Sequence, residues 1–307
     1  MKIYGKALLG ETVCAMGYFD GIHIGHRRLF EKLKQVSGGR QTVALTFEPH
    51  PMEYINREIA PKLISTTDQR IRKILSLGID TVIVAKFDKY IANVPAEDFI
   101  RDFLIKNLNA KSVCVGFNFK FGKDRQGDVK FLSECGEKYG YKAYIEPAVL
   151  FDDLPVSSTR VRSAVYEGHM TVARNLLGGC FSLLGEVEKG RQVGRVMGFP
   201  TANLKTEERQ ILPAWGVYVT YAEIDGKKYF AGCNVGIKPT FGLNYVTVEA
   251  HFINTEKDSP ILNLYDRKIE LFFVEKIRDE IEFSDTEALV ARIKKDMDIV
   301  KEYSRKY

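Results

Sequence analysis

The 307-residue chain lacks the marks of membrane-spanning, exported and nucleic-acid-coating proteins. No run approaches the ~20 consecutive apolar residues of a membrane span, so no membrane partner is expected. Lys2 and Lys6 precede a short apolar stretch around Leu8 that Glu11 soon interrupts, so no secretory leader is expected. Cysteine is scarce: Cys14, Cys114, Cys135, Cys180 and Cys233 are odd in number, far apart and without any C-x-x-C pair. That argues against a disulfide framework or a zinc site and suits a reducing compartment, so the expected location is the cytoplasm. Basic residues exceed acidic ones by five, 45 against 40. So small a surplus gives no footprint for nucleic acid, and none is expected as a partner, although it suits a small anionic substrate. No internal repeat or low-complexity segment is present.

What is present is a globular balance, 45% hydrophobic and 28% charged, in a length that accommodates about two domains of ~150 residues. From Thr12 to about Leu177, short apolar runs (Thr12–Met16, Thr42–Phe47, Thr81–Ala85, Ser112–Gly116, Lys142–Ile145) alternate with helical spacing (Ile24–Gln35, Thr67–Leu77, Ala96–Ile105, Asp128–Tyr139). Such alternation predicts a parallel sheet covered on both faces, with ligands at the carboxyl ends of its strands. After Gly178-Gly179, strand patterns follow one another without helices, and Asp225-Gly226 reads as a hairpin turn. These segments predict a barrel or sandwich. Thr286–Tyr303 closes the chain as a helix, with Ser284 and Glu287 as a capping box. The expected class is α/β plus β, with domains at 1–179 and 180–307.

The most informative stretch runs from Gly17 to His26, between the first strand and the first helix. Backbone N–H groups and the macrodipole at a helix start attract phosphate, and Gly17, Gly21 and Gly25 let the backbone approach a ligand. His23 and His26, three apart, can point to one side of the first turn. Donors placed there stabilise charge developing on a departing pyrophosphate. The structural alternative makes one His a helix cap and the other a surface residue. A second stretch, Ser157-Ser158-Thr159-Arg160-Val161-Arg162, combines hydroxyls and guanidiniums as a polyphosphate site would; alone, it reads as a Ser cap with solvated arginines. In the β half, Gly190, Gly194 and Gly198 lead into Pro200-Thr201-Ala202-Asn203. Spaced glycines free N–H groups for phosphate, and the Thr201 and Asn203 oxygens are adequate partners for Mg²⁺ beside ATP. No Walker A string occurs.

These motifs carry a resemblance. The H-x-G-H string followed by a Ser/Thr/Arg segment looks like the nucleotidyltransferase superfamily. Gly17–His26, Thr46-Phe47-Glu48-Pro49-His50-Pro51, Val115–Gly122 and Ser157–Arg162 are together similar to the FMN adenylyltransferase half of bacterial bifunctional riboflavin kinase/FAD synthetases. Pro200–Asn203, Leu212–Tyr218, Asn234–Thr240 and Val248–His251 resemble the riboflavin kinase half. The resemblance implies a Rossmann-like nucleotidyltransferase domain followed by a small antiparallel barrel with a terminal helix. It implies that His23, His26, Ser158, Thr159 and Arg160 hold ATP phosphates, with Gly17, Phe19, Asp20, Gly25, Asn118, Ser157 and Arg162 also on that nucleotide. Gly194 and Gly198 would line the other nucleotide site. Phe121 would stack on flavin, with core packing as the alternative. Thr201 and Asn203 would hold Mg²⁺–ATP, Glu249 would be the base for the ribityl 5′-hydroxyl, with a solvated strand residue as the alternative, and Arg278 would lie near flavin unless it forms a surface ion pair. Riboflavin, FMN and ATP would be the substrates, and FMN and FAD the products. Asp266 stands where this family commonly has Gly. Rival expectations are that one activity alone is retained, or that the scaffold is a non-enzymatic flavin- or nucleic-acid-binding regulator. Oligomeric state does not follow from the sequence.

Overall fold

The computed structural model describes residues 1–8, 10–189, 199–240, 243–253 and 264–306. The chain gathers into two compact units, Met1–Leu63 with Thr67–Ser158, and Ile64–Thr66 with Thr159–Tyr307.

The first unit contains β1 (Lys2–Gly5), β2 (Thr12–Met16), α1 (Ile24–Gln35), β3 (Gln41–Glu48), α2 (Pro51–Ile55), α3 (Thr67–Ser76), β4 (Thr81–Lys86), α4 (Lys89–Ala92), α5 (Ala96–Asp98), β5 (Ala110–Gly116), α6 (Val129–Tyr139), β6 (Lys142–Glu146) and the short hairpin β7 (Leu150–Phe151) and β8 (Leu154–Pro155). The expected third helix, Ala96–Ile105, is present, but after α5 it widens into π-helical turns over Phe99–Asn107. The sheet order is β1-β4-β3-β2-β5-β6. Its five central and far strands are parallel, as expected. The added antiparallel edge, β1, pairs Ile3 with Ile83; its residues are mostly exposed, so no buried run announces it.

β2 is buried along its whole length, and its alternate residues feed opposite faces. Cys14 and Met16 pack in one core with Leu104, Val113 and Leu132. Val13 and Ala15 pack in the other with Phe30, Leu33 and Ile74. The chain builds outward from β2 through β3 to β4, then returns to the other side with β5. The order reverses between β2 and β5, the place where open α/β sheets bind ligands.

The second unit carries α7 (Ser158–Tyr166, from its second residue), α8 (Met170–Leu177), β9 (Phe181–Glu188), β10 (Ala202–Thr206), β11 (Gly216–Ile224), β12 (Lys227–Thr240), β13 (Leu243–Phe252), β14 (Lys268–Arg278) and α9 (Thr286–Ser304). Its six strands close in the order β10-β13-β12-β11-β14-β9, and every pairing is antiparallel. Closure removes the free edges. Inside, Tyr218 and Phe181 pack on Phe273 with ring centroids 5.3 and 5.8 Å away. Outside, α9 lays Met297 and Val300 on Val219, Phe230 and Val274. The N-cap of α9 is Asp285, which accepts from the Ala288 N–H at 2.8 Å. Ser284 instead donates to the Asp285 carboxylate, so the cap lies one position later than the expected capping box. The turn at Asp266 takes φ +62°, so Asp adopts the left-handed conformation that Gly would accept at less cost.

The compact units divide at Ser158/Thr159, whereas the sequence pattern placed the change at Gly178-Gly179. The physical reason is packing. In α8, Met170, Ala173 and Leu176 are fully buried. Thr171 Oγ1 donates to Glu275 of β14 at 2.6 Å, and the Ala214 N–H reaches Val165 O. Gly168, at φ +75°, lies so near Lys276 that a Cβ would come 2.9 Å from its Cδ. The strand–helix pattern up to Leu177 does not show what covers α7 and α8.

Candidate active sites

In the first unit, the chain leaves β2 with the Gly17 N–H bonded to Leu45 O at 3.2 Å and with Tyr18 O accepting from Thr46 Oγ1 at 2.8 Å. Phe19 then takes a left-handed backbone, φ 59°, uncommon for a non-glycine residue. Its ring is 2% exposed and packs against Phe30. Of the expected nucleotide residues, Phe19 therefore presents its backbone, not its ring. Asp20 is also buried, at 2%.

His23 is the N-cap of α1: its Nδ1 accepts from the His26 N–H at 3.3 Å. With Nδ1 accepting, a neutral ring carries its proton on Nε2 as a donor. The His23 and His26 rings stack, 3.6 Å between centroids and 15° between planes. Gly25 makes room for this, since a Cβ there would come 3.2 Å from the His23 ring. His26 also meets Phe19 edge-on at 5.3 Å, and its Nδ1 is buried without a hydrogen-bond partner. Burial, then the neighbouring His23, pushes the His26 pKa well below 6.5, so the imidazole is neutral. The capping and ligand-facing readings of this pair are thus compatible.

Ser158 Oγ donates to Asp20 O at 3.0 Å, tying the start of α7 to this loop. Ser157 and Ser158 are half-buried; of the α7 residues that follow, Thr159 is exposed and Arg160 and Arg162 are half-buried. Across the switch point, the turn after β5 leaves Asn118 exposed. Phe119 is half-buried and stacks on Phe121 at 5.6 Å. Phe121 is 7% exposed and lies in the core with Phe99 and Phe131. The burial of Phe121 is that of a packing residue, the alternative to flavin contact.

The second site is assembled by strand register. Asn203 of β10 stands opposite Glu249 of β13, and Glu249 stands opposite Asn234 of β12. Asn234 pairs with Val217, and Val217 with Arg278. Val248 and Ala250, 2% and 0% exposed, face the barrel interior. Glu249 between them therefore faces outward, half-buried, on one row with half-buried Asn203 and Asn234. The strand pattern alone left that face open. Asn234 was not singled out as a site residue; its signal was the register of the neighbouring strands β12 and β13.

Two residues after Glu249, His251 Nδ1 lies 2.8 Å from Pro200 O, and its ring meets Phe199 edge-on at 5.3 Å. This contact anchors the start of Pro200–Asn203, where Thr201 is half-buried. Gly194 and Gly198 lie outside the described residues. Arg278 is committed to α9: it pairs with Asp296 at 2.9 Å, and Arg292 holds the other Asp296 oxygen at 3.0 Å. Asp296 is 3% exposed, so this is a buried ion-pair anchor and not the surface pair weighed from sequence. Among the described residues no cluster of three His, Cys, Asp or Glu could hold a metal, and all five cysteines are free.

Comparison with known proteins agrees with this two-site layout. The FAD synthetase family model matches residues 6–160 and the riboflavin kinase model residues 177–304. A bifunctional riboflavin kinase/FMN adenylyltransferase of Buchnera aphidicola (subsp. Schizaphis graminum) is 36% identical over 97% of this chain and 96% of its own length. The protein of that name from Escherichia coli K12 is 34% identical over 92% and 90%. Among solved structures, one described as a macrolide-efflux protein from Streptococcus pneumoniae superposes with a TM-score of 0.84 and 29% identity, over 96% of this chain and 95% of that one. No helix among the described residues is long and apolar enough to cross a membrane. The chain belongs to the family of bifunctional riboflavin kinase/FMN adenylyltransferases.

Proposed function

We propose that the two reactions of this family run on two separate sets of side chains, one centred on the α/β sheet and one on the barrel. The observation that carries the proposal is the separation itself. His23 and His26 open α1 on the α/β sheet, and Glu249 and Asn203 face each other on the barrel.

In the barrel, Glu249 accepts the proton of the riboflavin 5′-hydroxyl as that oxygen attacks the γ-phosphorus of ATP. The bond to the β–γ bridging oxygen breaks, and ADP leaves. Such transfer needs positioning, charge neutralisation and a carboxylate near the hydroxyl. Thr201 and Asn203 offer hard oxygen donors but no cage, which fits Mg²⁺ carried in by ATP. When bound, that ion neutralises phosphate charge. Asn234, beside Glu249 in the register, orients the carboxylate, and Gly194 and Gly198 pass the triphosphate. Arg278 acts at this site through the placement of α9.

In the α/β unit, an FMN phosphate oxygen attacks the α-phosphorus of a second ATP, forming FAD and expelling pyrophosphate. The nucleophile is already ionised, so no base is required. His23 donates from Nε2, and neutral His26 donates beside it to charge developing on the leaving group. The loop from Gly17 through Phe19 and Asp20 to Gly25 supplies backbone contacts. Ser157, Ser158, Thr159, Arg160 and Arg162 hold phosphate oxygens, and Asn118 holds the nucleotide. Phe121 is the floor beneath Phe119 on the flavin side. The functional division follows: residues through Arg162 serve the first reaction, although α7 and α8 pack with the barrel. We place both reactions in the cytoplasm, with nucleic acid as no part of either.

Incubation with riboflavin and Mg²⁺–ATP, separating riboflavin, FMN and FAD over time, tests the proposal. FMN should rise first and FAD follow. A chain that converts neither flavin contradicts it, and one that stops at FMN retains the kinase alone.

A further inference from the structure

We infer that Arg70 is a positioning residue for adenylyl transfer, holding the phosphate loop through the face of Tyr18. The inference rests on the reading that Gly17–His26 binds the ATP phosphates. Arg70 belongs to none of the motifs above. It lies on α3 and is 0% exposed, an unusual place for a permanently charged side chain.

Its contacts join the loop after β2 to neighbouring elements of the first unit. The guanidinium carbon sits 4.2 Å from the Tyr18 ring centroid. Nη2 donates to Phe47 O at 3.1 Å and to Thr67 Oγ1 at 3.3 Å. Thr67 Oγ1 in turn donates to Glu48 Oε1 at 2.9 Å. Tyr18 meets His50 edge-on, with centroids 4.3 Å apart. One buried cation thus fixes the loop after β2 to the end of β3 and the start of α3.

Nε and Nη1 of Arg70 are buried without hydrogen-bond partners. Packing alone would favour an apolar side chain of similar length, which leaves no donor unpaired. A flat cation supplies what an apolar chain cannot. Its face sets the plane of the Tyr18 ring while its fork fixes the Phe47 carbonyl. Tyr18 precedes Phe19 and Asp20, and its carbonyl is held from Thr46, so a shift of the ring is passed to the turn that aims His23 and His26. Displacements of about 1 Å in such loops cost ~10²-fold in rate.

The test uses the full chain with FMN and Mg²⁺–ATP, comparing the parent with Arg70→Lys, Arg70→Met and His26→Ala. For both Arg70 variants, kcat for FAD formation should fall ~10–100-fold, while KM for ATP moves less than ~3-fold and the melting transition is retained. With Tyr18→Leu already present, Arg70→Lys should cost less than ~2-fold further, because the shared contact is gone. With Tyr18→Phe, which keeps the ring face, Arg70→Lys should cost its full amount. A kcat within ~2-fold of the parent, losses that multiply independently of Tyr18→Leu, or a rate loss that follows a lost melting transition would each overturn the inference. Failure of Arg70→Lys to slow FAD formation while His26→Ala abolishes it removes only the positioning role. A normal rate in His26→Ala removes the loop reading and this inference with it.

Discussion

The two candidate sites are built from different materials. In the α/β unit the site is a loop and a helix start: a left-handed Phe19, a His23 cap and two stacked imidazoles within ten consecutive residues. On the barrel it is a row of side chains from three strands, Asn203, Glu249 and Asn234, with Pro200 held from β13 by His251. The first depends on local backbone geometry and the second on long-range register. The barrel row is therefore exposed to anything that loosens the strands or the α9 that covers them. The loop site is exposed mainly to changes within its own turn.

The largest effect expected is on the barrel's support. Asp296→Ala leaves Arg278 nearly buried without its carboxylate, and breaking such a pair costs about 3–5 kcal/mol. Calorimetry should show a transition assigned to the barrel unit moving down, with FMN formation lost at a lower temperature than FAD formation. Equal loss of both would break the contrast between the sites. Next, His26→Ala removes the donor proposed to meet developing charge, and FAD formation should fall roughly 10²–10³-fold. FMN should then accumulate from riboflavin, as quantitative chromatography would show. Glu249→Gln should lower FMN formation by about 10²-fold and leave conversion of supplied FMN intact.

The smallest effect is pH dependence. Burial holds His26 well below its ordinary 6.5, so the unfolded chain takes up the proton first. The stability this neutral residue contributes is complete above about 6.5 and falls as pH drops toward the folded value. The slope for one proton is at most about 1.4 kcal/mol per pH unit. In His26→Gln, denaturant titrations below pH 6.5 should show a flatter dependence than in the parent.

How far each site could be read from the sequence follows from the same contrast. Residues 17–26 are contiguous, so their glycine spacing, histidine pair and place between strand and helix are all visible in the chain. Of the five parallel strands, four were equally legible as buried runs and the half-buried β6 as the last step of the strand–helix alternation; the edge strand Lys2–Gly5, mostly exposed, was not. On the barrel, the outward orientation of Glu249 emerged only once Val248 and Ala250 were seen inside, and Asn234 joined the row only through its pairing with Glu249. Arg278 was visible as a charge, but its burial against Asp296 depended on where α9 docks. Arg70 was hidden for a related reason. A helix pattern with Arg on it reads as solvated until Tyr18 and Phe47 are placed beside it.

The most direct measurement is a pair of time courses on single preparations of Glu249→Gln and His26→Ala. Each is supplied first with riboflavin and then, separately, with FMN, always with Mg²⁺–ATP. Two independent sites predict crossed defects: Glu249→Gln fails from riboflavin but makes FAD from FMN, and His26→Ala makes FMN but little FAD. A folded variant that loses both steps, or a Glu249→Gln protein that makes FMN at the parent rate, would contradict the assignment of two reactions to two separate sets of residues.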